Sequence, residues 1–307
     1  MNKFKRIIDY ILHDRRLLKI AILKKFAWLF PDKLYLQLLF KQCMGYSLNL
    51  NNPQTFSEKM QWLKLYNRKP EYTQMVDKYA VKEYVANIIG KEYIIPTLGV
   101  WDRVEDIDFE SLPNRFVLKT THGGGSCGVV ICKDKTTFDI DSCKKKLKQS
   151  LHHNIYHQFR EWPYKNVKRR IIAEQFMSDN IHQDLTDYKF YCFNGEPQYC
   201  QVIRDRRKKE TIDFYDIHWV HMPFVGLNPI VKNGLNPVER PRQLNIMIEI
   251  CKKLAKNIPF VRIDLYLINN KIYFGEITFF PASGLGIFTP EEWNDTLGEM
   301  IFLSNNI

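Results

Sequence analysis

The chain has 307 residues, 45% hydrophobic and 26% charged, which fits a globular protein with two or three subdomains and a large core. No run of 18 apolar residues occurs, so no membrane-spanning helix is expected, and seven cysteines without a C-x-x-C pair point to free thiols in a reducing cytoplasm. The net charge of +11 is concentrated in residues 1–45, with ten Lys/Arg against three Asp, but no recognition module accompanies it, so nucleic acid is not expected as a partner.

Residues 1–95 read as a mostly helical, basic region broken at Pro31, at 45–53 and at 69–70. A helix is expected from Phe4 to Phe30, with Ile7, Ile8, Ile11, Leu12, Leu18, Ile22 and Leu23 near one face. Such a segment suits an anionic membrane surface at the inner face, or steering of an acidic substrate; the plainer reading is a solvated helix packed on its domain. Any signal-like apolar core is cut off at residues 13–16 (HDRR).

Residues 96–180 alternate strands and helices. An apolar strand, 116–119 (FVLK), ends in Lys119; the loop 120–128 (TTHGGGSCG) carries Gly123, Gly124, Gly125 and Gly128; a second apolar strand is 129–132 (VVIC). The loop spells G-x-G-x-x-G, but a dinucleotide site needs a helix next, and Val129, Val130 and Ile131 make a strand. It lacks the Gly-Lys-Ser/Thr ending of a P-loop, and Lys119 precedes the loop where a protein kinase has its lysine after it. What remains is a donor-rich loop between antiparallel strands, suited to covering phosphates, or a glycine-rich hairpin with no ligand. Cys127 reads as a small hinge residue rather than a nucleophile. Residues 144–157 read as a helix; His153 and His157 are four apart but lack a third zinc ligand.

Residues 181–307 contain a second sheet. A strand over 171–177 precedes it, and strands at 187–193 and 198–204 are joined by a turn at Asn194-Gly195. Asp187 and Lys189 share a face, Lys189 being a candidate phosphate contact or a solvated strand lysine. Residues 204–209 (RDRRKK) form a basic patch, His218 and His221 decorate a loop, and helices are expected at 243–257 and after 290. The last hairpin, 261–268 and 272–278, carries one carboxylate per arm. A three-residue loop at 269–271 places Asp264 opposite Glu276 and Arg262 opposite Thr278, and opposed carboxylates call for a divalent cation, Mg²⁺ by its oxygen ligands. The alternative is that Asp264 and Glu276 pair separately with Arg262 and Lys271. A phosphate loop and a metal hairpin together suggest an enzyme of ATP.

Lys119 with its Gly-rich hairpin, 174–177 (EQFM), 187–189 (DYK), and Asp264 through Glu276 and Thr278 follow in the order of the ATP-grasp ligases. The stretches 52–66 (NPQTFSEKMQWLKLY) and 77–82 (DKYAVK) narrow the resemblance to the TupA-like, teichuronopeptide-type ATP-grasp family, over about residues 35–290. The resemblance implies an α+β ATP-grasp fold: a helical region 1–95, a small subdomain 96–180 with the Gly-rich hairpin, and a large subdomain 181–307 with the metal hairpin, ATP lying between the last two. It implies that Lys78, Lys119 and Lys189 contact phosphates, that Gly123 to Gly128 close over them, and that Glu174, Gln175, Phe176 and Met177 form the adenine hinge. Asp187 would reach the ribose, and Asp264 and Glu276 would hold Mg²⁺. Thr278 stands where many relatives have Asn, a weaker metal ligand. Lys119, Lys189 and Arg262 are the catalytic candidates, and residues 280–286 (FPASGLG) are placed to offer backbone N–H groups to an acyl phosphate. The activity so implied is ATP-dependent joining of a carboxylate to an amine, on an acidic sugar of a bacterial surface polysaccharide. The rival readings are a glycosyltransferase, for which Asp106/Asp108 and Asp139/Asp141 spell D-x-D, and a non-catalytic polymer-binding module.

Overall fold

The computed structural model describes residues 15–125, 128–179, 185–204, 210–227 and 231–303. Helices α1 (Arg15–Lys25), α2 (Asp32–Met44), α3 (Phe56–Tyr66), α4 (Glu71–Val76) and α5 (Ala80–Ile89) come first. A four-stranded sheet follows, built from β1 (Thr97–Trp101), β2 (Phe116–Thr120), β3 (Val129–Cys132) and β4 (Ile171–Gln175) in the order β1-β4-β2-β3. Between β3 and β4 lie α6 (Ile140–His152) and α7 (Ile155–Phe159). The expected helix over 144–157 is therefore two helices: the chain breaks after His152, and Asn154 caps the second by accepting from Tyr156 N–H.

A five-stranded sheet takes the second half. It contains β5 (Asp187–Phe193), β6 (Glu196–Arg204), β7 (Thr211–Asp216), β9 (Phe260–Ile268) and β10 (Lys271–Thr278), in the order β10-β9-β5-β6-β7. The short strands β8 (Val225–Gly226) and β11 (Phe288–Thr289) pair beside it, α8 (Leu244–Ala255) packs on it, and α9 (Trp293–Glu299) ends the described fold. The Asn194-Gly195 turn is as expected, with both residues at positive φ between Phe193 and Glu196. The first part of the expected Phe4–Phe30 helix, with Ile7, Ile8, Ile11 and Leu12, lies outside the described residues, as do Cys127 and residues 205–209.

The helices of residues 32–89 do not stand apart from the large sheet. Leu36, Phe40, Phe56, Met60, Tyr72 and Val85 share one buried cluster with Phe190, Ile263, Phe274 and the α8 residues Met247 and Cys251. Helix α3 shows what the polar residues of 52–66 hold in place. Thr55 accepts from Glu58 N–H while the Glu58 carboxylate accepts from Thr55 N–H, a reciprocal cap worth about 1 kcal/mol. Its polar residues face other chain segments, not solvent: Ser57 bonds Asn294, and Lys59 Nζ donates to the carbonyls of Gly298 and Ile301. The small sheet has a separate core, with Phe116, Leu118, Ile171 and Ala173 packed against Cys143 and Leu147 of α6.

Candidate active site

A cavity of about 1080 Å³ is lined from both sheets. The small sheet contributes Lys119, Glu174, Gln175 and the loop Gly123 to Gly125; the large sheet contributes Asp187, Lys189, Arg262, Asp264, Glu276 and Thr278; Lys78 and Lys82 enter from the helical region. Phe176 and Met177, just past β4, line it as well. Of the sequence-selected residues, Gly128 is not among the lining. Its φ of 71° and its packing explain the glycine: a Cβ there would overlap Ser150 Oγ and Thr120 Oγ1, which hydrogen-bond each other at 2.8 Å.

The carboxylate hairpin reaches the expected pairing by a different route. Its turn has two residues, Asn269 and Asn270, both left-handed at φ 48° and 65°, and Ile268 pairs with Lys271. That register alone would set Asp264 against Gly275. Instead the ladder slips between Phe274 and Glu276, so Gly275 is an extra residue, and Glu276 pairs with Asp264, Ile277 with Ile263 and Thr278 with Arg262. The surplus residue expected in the turn sits in a β-bulge at a glycine. A Cβ on Gly275 would lie 2.9 Å from Tyr266 Cε2 and 3.0 Å from the Asp264 carbonyl oxygen.

Each carboxylate of the site meets a cation. Asp264 accepts from Arg262 Nε at 2.7 Å and Nη2 at 2.8 Å, and from Lys189 Nζ; Lys189 also lies 3.7 Å from Asp187. Glu276 accepts from Lys78 Nζ at 3.1 Å and from Thr278 Oγ1 at 2.9 Å, while Arg262 Nη2 donates to Thr278 Oγ1 at 3.1 Å. Lys271 does not share in this; it is exposed at the turn, and Glu276 takes Lys78 instead. Glu174 lies 2.5 Å from both Lys82 Nζ and Lys119 Nζ. Burial alone would raise the Glu276 carboxyl, but Lys78, Arg262 and Lys189 outweigh it and hold it at about 2. For Glu174, burial likewise opposes ionisation, and Lys119 and Lys82 overcome it, again to about 2.

The donor set facing the cavity suits Mg²⁺. Asp264, Glu276 and Thr278 offer only oxygens, and no group of three or more His/Cys/Asp/Glu that could hold a metal ion occurs among the described residues. Mg²⁺ takes one or two carboxylates and completes its shell with phosphates and water, whereas a dedicated protein cage would need more ligands.

Several participants escaped the sequence reading. Lys82 is four residues after Lys78, and that spacing was its available signal. Glu161 and Ser283 line the cavity together, Ser283 Oγ donating to Glu161 at 2.5 Å. Burial raises the Glu161 carboxyl and lowers the fully buried Lys64 ammonium, whose Nζ donates to the Ser283 carbonyl and Gln61 Oε1, both at 2.8 Å. His122, at the root of the Gly loop, also lines the cavity. The turn at 281–284 is tighter than expected: Ala282, Ser283 and Gly284 are left-handed, and the N–H groups of Ser283 and Leu285 are used within it, on Phe280 and Ala282 carbonyls. Those two N–H groups are not offered to a ligand.

Other sequence features stand aside. Asp108 accepts from Glu110 and Ser111 N–H, and Asp139 caps α6 through Ser142 N–H; neither D-x-D pair is among the cavity lining. His221 Nε2 lies 3.1 Å from the buried Asp213 carboxylate. His153 lines the cavity but His157 does not.

Comparison with known proteins follows this geometry. No curated protein sequence matches the chain. Among solved structures it is similar to D-alanine–D-alanine ligase from Bacillus anthracis, complexed with ATP, at 13% identity and TM-score 0.38 over 72% of this chain and 55% of that one. It is similar to the Helicobacter pylori D-alanine–D-alanine ligase at 16% identity and TM-score 0.39, over 81% and 70% of the two chains. For phosphoribosylamine–glycine ligase from Thermotoga maritima the values are 16% and 0.39, over 68% and 48%. The chain thus spans only about half of the Bacillus and Thermotoga proteins. A model of the TupA-like ATP-grasp family matches residues 58–302, most of the chain, and the chain belongs to that family.

Proposed function

We propose that this protein is an ADP-forming ligase that joins a carboxylate to an amine through an acyl phosphate. The observation that carries this reading is the pairing of Asp264 with Glu276 across β9 and β10, inside a cavity shared with the Gly loop and Lys78, Lys119 and Lys189. These carboxylates and cations neutralise one another. Nucleotide with Mg²⁺ would bring both signs of charge, so partners could exchange: Asp264 and Glu276, with help from Thr278, would hold the metal, and the lysines they release would hold the phosphates. The bound ion would neutralise charge on the phosphates. The protein's own part is positioning and electrostatics, as in phosphoryl transfer generally.

In the first step a substrate carboxylate oxygen bonds to the γ-phosphorus, the bond from that phosphorus to the β-phosphate bridge breaks, and ADP leaves. Lys119, Lys189 and Arg262 offset the charge spread over the transferring group. In the second step an amine nitrogen bonds to the acyl carbon, loses a proton, and inorganic phosphate departs, leaving an amide. Glu174 to Met177, on and just past the edge of β4, are the adenine-side candidates, with Asp187 near the ribose.

The substrate reading is an acidic, uronic-type sugar of a surface polysaccharide and an amino acid or amino sugar. It rests on the family resemblance and on a cavity rich in cations. A cytoplasmic site beside an anionic membrane surface fits the helical region: Ile22, Phe26, Trp28 and Leu29 are exposed among Lys19, Lys25 and Lys33. No described helix is long and apolar enough to cross a membrane.

The deciding experiment incubates the protein with MgATP, glucuronate and galacturonate as acids, and hydroxylamine. A hydroxamate with stoichiometric ADP is the expected result. AMP with pyrophosphate would replace phosphoryl transfer by adenylation, and turnover of a sugar nucleotide without ATP would establish a glycosyltransferase.

A further inference from the structure

His122 opens the Gly loop and is held from several sides. Its ring Nε2 lies 3.2 Å from the Ser150 carbonyl oxygen and 3.0 Å from that of His153. Both are acceptors, so Nε2 carries the hydrogen and a neutral ring leaves Nδ1 as a bare lone pair. Nδ1 is buried, and it has no hydrogen-bond partner among the described residues. The residue is 2% exposed, yet it lines the nucleotide-sized cavity beside Gly123 and Lys78.

The backbone around it is fixed. Thr121 N–H donates to the Arg170 carbonyl at 2.9 Å, Thr121 Oγ1 to that of Lys168 at 2.8 Å, and Lys78 N–H to that of Thr121 at 3.0 Å. The ring therefore cannot easily swing out to find water for Nδ1. An orphaned buried ring nitrogen at the mouth of a phosphate-covering loop is a group waiting for a partner.

We propose that His122 contacts phosphate: on nucleotide binding Nδ1 takes up one proton from solvent and, keeping it, donates a hydrogen bond to a phosphate oxygen. The inference rests on the nucleotide reading of the cavity. The charges facing the ring make the change conditional on ligand. Burial disfavours its protonation, as do Arg169 from the segment before β4 and Lys78 from the segment before α5, while the two carbonyls of the α6 end favour it. The described groups facing the ring thus hold it neutral when empty. A triphosphate neutralises the nearby cations and supplies the missing acceptor, which reverses the balance. Proton and ligand then bind together, and nucleotide affinity rises as pH falls through the neutral range.

The test is isothermal titration of the full chain with Mg²⁺ and the non-hydrolysed analogue AMPPNP near pH 7.5, in buffers of low and high ionisation enthalpy. Wild type is expected to take up between about 0.5 and 1 proton more per nucleotide than His122→Gln. Equal proton numbers in the two proteins overturn the proposal. Ring ¹⁵N spectra of wild type supply a second reading that does not depend on the variant folding. With AMPPNP bound, both nitrogens of His122 should be protonated; a lone-pair signal from Nδ1 in the complex overturns the proposal equally. Wild type that binds no nucleotide removes the ligase reading as well, whereas binding without proton uptake removes only the role of His122.

Discussion

The two hairpins that face the cavity solve opposite problems. In the Gly hairpin the demands are steric. Lys119 pairs with Val129 in a regular ladder, and positive φ at Gly125 and Gly128 bends the connection. In the carboxylate hairpin the demands are electrostatic. Two acids must share a face, and a one-residue surplus at Gly275 is needed to bring them there. The first tolerates little added volume at one glycine, and the second tolerates little loss of charge. Under the nucleotide reading proposed above, the first hairpin would cover phosphates with backbone donors and the second would hold a metal with fixed anions.

The largest expected effect lies in the carboxylate hairpin. Glu276→Gln keeps the shape and the Thr278 contact but removes the charge that faces Lys78. Metal-borne stabilisation of a transferring phosphoryl group is worth several kcal/mol, so ADP release and hydroxamate yield should fall by roughly a thousandfold or more. A variant within tenfold of wild type would show that the opposed pair is only an ion-pair lattice.

Acid stability asks whether the small-sheet ion pairs also matter to folding. The Glu174 carboxyl is pulled from 4.5 to about 2, mainly by Lys119 and Lys82 against burial. A depressed acid stabilises fully above its unfolded value and loses that contribution as pH falls through the folded value. The window is therefore about pH 4.5 down to about 2. The difference corresponds to ~3 kcal/mol. Urea midpoints across that window should fall steeply in wild type and less steeply in Glu174→Gln. Identical slopes would mean that Glu174 is unperturbed in the folded protein.

Lys119→Met tests the same ion-pair group from the ligand's side. Glu174 keeps Lys82, so the fold should persist while a phosphate contact is lost. Charge-assisted hydrogen bonds of this type are worth roughly 1.5–3 kcal/mol, or ~10–150-fold in ATP affinity. Titration calorimetry giving unchanged affinity in the folded variant would remove Lys119 from the phosphate site.

Much of this was readable from spacing. The β2–β3 hairpin and the Asn194-Gly195 turn follow from strand alternation and turn chemistry, whereas Asp264 meets Glu276 only through the bulge at Gly275. The turn at 269–270 is one residue shorter than expected because the surplus residue sits at Gly275, a glycine inside a strand that marks a bulge. The long helix over 144–157 failed at Asn154, a strong N-cap that a periodicity argument passes over. Glu161 and His122 share another obscurity. Each is brought to the cavity by contacts remote in sequence, Glu161 to Ser283 across 122 residues and His122 to His153 across 31, and no local pattern encodes such meetings. The core that the helices of residues 32–89 share with the large sheet is likewise not visible in the sequence.

The smallest expected effect separates two glycines of one loop. At Gly125, φ is 57° and a Cβ would meet nothing within 4 Å among the described residues, so Gly125→Ala is expected to carry only the left-handed backbone penalty, about 1 kcal/mol. At Gly128, φ is 71° and the same methyl would overlap the Thr120–Ser150 hydroxyl pair, both of whose residues are buried. One hydroxyl must turn away and lose its bond, adding roughly 1–3 kcal/mol to the backbone penalty. Gly128→Ala should therefore lower the urea-derived stability by more than Gly125→Ala does. In the double variant with Ser150→Ala, which removes one clashing oxygen, part of that excess should return. Equal losses at the two glycines would show that the Gly128 end of the loop yields as readily as its tip, and the steric account of the Gly hairpin would not stand.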